Sequence, residues 1–190
     1  MATPIDFSCM FRARMAEKLR VAGQIDEDGA QALDALLDID EAAATRVALE
    51  ATPRAKESDA FCELCAQILG ERADQAARER LLTAYEAAPE FAQTLILEVL
   101  SNFPGDERVY RLLTQLLKNR PHMRAFAAKL LGKYGDERAV APLKAVLEES
   151  GLSYFEYMEL RNAVEALGGE ADGEREFYGD PDYEYLRNLE

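Results

Sequence analysis

With 190 residues, 48% of them apolar and 31% charged, the chain is long enough to bury a core and too apolar to remain disordered. Its net charge of −14 argues against nucleic acid as a partner, since gripping phosphates requires a basic stripe. Three cysteines, an odd count, argue against a disulfide framework, and no run approaches the ~18 apolar residues of a membrane span.

Ala, Leu, Glu and Arg dominate, all strong helix formers, while Val, Ile and Thr never alternate over a useful length. The composition predicts an all-helical protein. Met1–Met10 has no basic stretch leading into an apolar core, so no secretory signal is expected, and the free thiols suit the cytoplasm.

In chain order, apolar spacing predicts helices over 5–22, 27–37, 40–52, 58–71 and 74–87, then 89–102, 106–118, 121–133, 136–149, 153–168 and 180–188. Residues 1–57 read as an N-terminal cap and a first divergent repeat. They contain Gln24–Glu41, with seven acids and no base. In the fourth helix, Phe61, Leu64, Cys65, Ile68 and Leu69 share one face. That makes Cys65 a core residue and leaves Cys62 beside it on the flank. Pro89 and Pro121 suit first-turn positions, whereas Pro142 falls inside its helix and is expected to bend it.

Residues 58–168 repeat. Gly105-Asp106-Glu107-Arg108 returns as Gly135-Asp136-Glu137-Arg138, 30 residues later. Leu69, Leu100, Leu131 and Leu167 end corresponding helices at intervals of 31, 31 and 36 residues, and Leu37 fits one step earlier. Such a period suits a helix pair as the repeating unit. Each Gly-Asp turn has a local cause. The glycine takes the left-handed conformation that ends a helix, and the aspartate caps the next one.

Arg124–Glu149, reading Arg-x-x-Ala-Ala-x-x-Leu-Gly-x-x-Gly-Asp-x-x-Ala-Val-x-Pro-Leu-x-x-x-Leu, resembles a HEAT-like repeat of the kind first described in phycobilin lyases. Residues 94–118 are a weaker copy, 158–168 match the first helix alone, and 58–87 match by period. The resemblance implies a right-handed α-solenoid of about five stacked helix pairs with atypical terminal caps, and a protein partner. It does not carry over a reaction, because enzymes and non-enzymes share the repeat.

No cluster of catalytic side chains emerges, so neither catalysis, metal nor cofactor is expected. His122 is the single histidine, placed at a helix start as an exposed or capping residue. HEAT-like iron hydroxylases use several His-Glu pairs, which are missing here, and HEAT-like DNA glycosylases need a basic inner surface. Asp26-Glu27-Asp28-Gly29 and Asp172-Gly173 lack the ligand order of a calcium loop.

Surface remains. If the second helix of each pair lines the concave face, Arg108, Arg111, Gln115, Arg138 and Lys144 form a mild basic strip. Alternatively, these charges solvate the first turns of their helices. The C-terminal segment 169–190 is acidic, with eight acids against Arg175 and Arg187. It carries Tyr178, Tyr183 and Tyr185, which either dock a partner or fold back to seal the last repeat. Three functions compete: a non-enzymatic protein-binding adaptor, which is preferred; an acidic inhibitor or immunity-type protein for a basic partner; and a bilin-lyase-like enzyme subunit.

Overall fold

The computed structural model describes residues 7–21, 27–171, 173 and 175–188, with the backbone alone at 7, 8, 16, 18–21, 27 and 28. The acidic residues Asp26, Asp172, Glu174 and Glu190, and with them both calcium-like motifs in part, lie outside what is described. Among the described residues every regular element is helical.

Unit 1, Met1–Asn102, contains α1 (Phe7–Val21), α2 (Glu27–Ile39), α3 (Glu41–Ala51), α4 (Ala60–Arg72), α5 (Gln75–Tyr85) and α6 (Glu90–Leu100). Helix α2 packs on α1, α3 and α4, and α4 packs on α6. The core between them holds Leu33 and Leu36, Ile68 and Leu69, and Ile96 and Leu100, all fully buried. Asp40, Asp59 and Asp74 cap α3, α4 and α5, each accepting a backbone N–H three residues on. Because each cap satisfies a donor that the helix itself leaves free, it fixes where the helix begins.

Cys62 is not on a flank. It is as buried as Cys65, packed among Ala55, Ala92 and Leu95. The turn before α4 and the face of α6 close over the first turn of α4, an arrangement that periodicity within α4 cannot encode. Cys9, Cys62 and Cys65 are all buried, and none of them is in a disulfide.

Unit 2, Phe103–Glu190, contains α7 (Glu107–Asn119), α8 (Arg124–Tyr134), α9 (Val140–Leu147), α10 (Tyr154–Ala166) and α11 (Pro181–Arg187). Helix α8 packs on α7 and α10, and α10 on α9 and α11. Gly135 ends α8 with φ 78°, in the left-handed region, and its N–H reaches the Leu131 carbonyl. Asp106 and Asp136 then accept the N–H groups of Arg108 and Arg138 at 2.9 and 3.0 Å, as the sequence suggested.

Pro142 does not bend a helix. Residues Glu137–Ala139 form a 3-10 turn, and α9 starts afresh at Val140, placing Pro142 in its first turn. There the N–H that proline lacks would have had no intrahelical acceptor anyway. Pro89, similarly, stands just before α6 rather than inside it.

Helix α10 starts with a capping box between Ser153 and Glu156. It ends with Gly168 in the left-handed region and the Gly169 N–H on the Val164 carbonyl at 2.9 Å. A Cβ on Gly169 would lie 2.8 Å from Val140 Cγ1 and 2.9 Å from Val164 Cγ1. Gly169→Ala should therefore destabilise unit 2 by about 1–3 kcal/mol, the usual range for overpacking, read as a lowered urea midpoint. An unchanged midpoint would mean that both valines swing aside at no cost.

Candidate interaction surfaces

Two groups of side chains in unit 2 contain six of the eight residues nominated from the sequence. The first lies on the paired Gly-Asp-Glu-Arg turns. Asp106 receives the Arg108 guanidinium at 2.5 Å, and Asp136 receives Arg138 at 2.6 Å. Arg138 also reaches Glu107 of the preceding turn at 3.0 Å, and Arg111 meets the same carboxylate at 3.2 Å. The Arg138 guanidinium lies 4.3 Å from the centre of the Tyr110 ring.

Three guanidiniums thus face three carboxylates. Hydrogen bonds from Arg108 and Arg138 hold the Asp106 and Asp136 carboxyls below their ordinary range, and Arg138 does the same for Glu107. Arg138 itself is shifted upward, chiefly by Asp136. Arg108, Arg111 and Arg138 are therefore not a free basic strip but part of a charge-balanced ladder joining two successive turns. Being exposed, the ladder adds little stability. What it does provide is register, because the Arg138–Glu107 pair forms only when the two turns lie side by side.

The other members of the nominated strip lie elsewhere. Gln115 is exposed two turns further along α7. Lys144 lines a separate hollow of about 310 Å³ with Tyr157, Glu148 and Arg175.

The second group is the C-terminal segment. Phe177 is buried against α10, its ring 5.0 Å from Tyr157 and 5.6 Å from Tyr154. Tyr183 packs on Tyr154 at 5.3 Å and is half-buried. Asp180 binds the segment to α10 through its carboxylate, which accepts the Tyr154 N–H at 2.9 Å together with the Asp182 and Tyr183 N–H groups. Those backbone donors, Tyr154 foremost, lower its pKa. Tyr157 Oη donates to the Gly173 carbonyl at 2.8 Å, and Arg175 donates to that of Glu149 at 2.9 Å.

The segment divides its aromatics. Phe177 and Tyr183 face inward, while Tyr178 and Tyr185 remain 64% and 66% exposed, with Leu186 and Phe155 also largely exposed. Neither Asp180 nor Leu186 stood out in the sequence. The Asp-Pro pair at 180–181 is a helix-start signal that points to the cap, but nothing local indicates its second partner, Tyr154.

Among the described residues no three His, Cys, Asp or Glu side chains converge on a point where a metal could sit. His122 is exposed, in a 3-10 turn before α8. Among the same residues no helix is long and apolar enough to cross a membrane.

No curated protein matches the chain. Residues 123–149, which span α8, the 3-10 turn and α9, match the PBS lyase HEAT-like repeat, in a structure whose regular elements are all helical among the described residues.

Proposed function

We propose that this protein is a non-enzymatic adaptor, working in the cytoplasm, whose helical repeats hold out a surface for another protein. The observation that carries this reading is the C-terminal segment. It is anchored to α10 by Phe177, Tyr183 and Asp180, yet leaves Tyr178, Tyr185 and Leu186 each exposed, Tyr178 resting on Tyr183 and Arg187. Tyrosines on a preordered frame are effective interface anchors, because little side-chain freedom is lost on docking. The neighbouring Glu176, Asp182 and Glu184 suit a partner with a basic rim. The HEAT-like repeat supports the reading, since helical repeats commonly present such surfaces.

The test is affinity capture from host extract with the tagged chain, and with Tyr178→Ser/Tyr185→Ser, at low and moderate salt. The wild type should retain a stoichiometric partner that the variant loses, and moderate salt should weaken its retention. Capture of nothing by the wild type at either salt, or equal capture by the variant, would overturn the proposal.

A further inference from the structure

Unit 1 has a groove of about 610 Å³ between α3 and α5, with Arg72, the last residue of α4, in its lining. Its lining includes three arginines, one from each helix: Arg46 on α3, Arg72 on α4 and Arg80 on α5. Arg72 already has two carboxylate partners, Glu41 and Glu71, so in a chain of net charge −14 it is Arg46 and Arg80 that need a cause. The two acids of the lining are already engaged. Glu41 holds Arg72 at 3.1 Å, and Asp74 caps α5 by accepting the Ala77 N–H at 2.7 Å. Among the described residues Arg46 and Arg80 make no ion pair, and both are exposed. Between them the wall is apolar, formed partly by Leu49 and Ala77.

We propose that this groove docks an acidic, partly apolar peptide segment of a partner protein. Guanidinium groups bind carboxylates through two parallel hydrogen bonds, which suits a Glu or Asp side chain placed between Arg46 and Arg80. At about 610 Å³ the groove has room for more than one small anion, and its exposed Ala42 and Ala76 offer contact to the apolar side chains of an extended segment. The strong negative charge of the whole chain repels a polyanion but tolerates a segment with a few carboxylates. The proposal rests on the protein-binding reading, but uses a different unit from the tyrosine surface.

The probe is a fluorescein-labelled decapeptide of alternating Glu, Leu and Ala, titrated with the full-length chain at low ionic strength and followed by anisotropy. Saturable binding should weaken roughly tenfold or more in Arg46→Glu/Arg80→Glu, and in a peptide with Lys in place of Glu. Both arginines are exposed, so the variant should keep its circular dichroism and melting temperature. Absence of saturable binding, or equal binding by the variant or the Lys peptide, would overturn the proposal. So would displacement by inorganic phosphate as effective as by unlabelled peptide, which would indicate a simple anion site. Self-association of the wild type by light scattering, abolished in the variant, would overturn it too, by placing the acidic tail of a second copy in the groove. In all these cases the tyrosine surface is intact, so capture through Tyr178 and Tyr185 tests the adaptor reading separately.

Discussion

Tyr134→Ala should lower the stability of unit 2 by about 3–5 kcal/mol, the range seen when a large buried aromatic is truncated. Tyr134 is the largest side chain among the fully buried residues, with 1% exposure, and it ends α8, just before the second Gly-Asp-Glu-Arg turn. Its hydroxyl donates to the Asp106 carbonyl, in the first such turn, at 2.8 Å. Two effects therefore reside in one residue. The ring fills space that the core cannot close, and the hydroxyl ties one repeat to the preceding one. Tyr134→Phe separates them. It keeps the ring, and Asp106 still accepts the Tyr110 N–H at 3.1 Å, so no carbonyl is left without a partner. Its cost should be only about 0.5–1.5 kcal/mol, the net worth of one hydrogen bond. Chemical denaturation of the two variants decides the matter. A Phe variant as unstable as the Ala variant would show that the bond, rather than the ring, holds the turns together.

That bond illustrates what the sequence does and does not reveal. The Gly-Asp-Glu-Arg turns were legible because each is a local device, with a left-handed glycine at Gly135 and a capping aspartate at Asp136. The helices were legible for the same kind of reason, as runs with one apolar face between breaker residues. Contacts over long separations were not. Tyr134 looks like any helix-end aromatic until Asp106 is folded beside it. Cys62 looks half-exposed until α6 covers it. The nominated arginines look like a basic strip because Arg138 and Glu107, 31 residues apart, only meet in the folded chain. The groove arginines were missed altogether. Arg46, Arg72 and Arg80 lie on three different helices, and no spacing within any one of them marks the convergence.

The repeat landmarks make the remaining large prediction. Leu69, Leu100 and Leu131 lie in the last turns of their helices, 31 residues apart, and are 0%, 1% and 0% exposed. Leu167, the fourth, follows the end of α10 and is 6% exposed. Truncation to Ala at any of the first three removes a fully enclosed side chain and leaves a cavity, at a cost of about 2–5 kcal/mol each. That is a large share of the roughly 5–15 kcal/mol that holds a typical domain folded. Leu167→Ala should cost less, because its site is partly open and its surroundings can settle inward. The chain divides at Asn102, with Leu69 and Leu100 in unit 1 and Leu131 in unit 2. Hydrogen exchange should therefore show where each loss is felt. Leu131→Ala should speed exchange in α7, α8 and α10 more than in α2 to α4, and Leu69→Ala should do the reverse. Equal acceleration throughout the chain by either variant would mean that the two units unfold as one cooperative body.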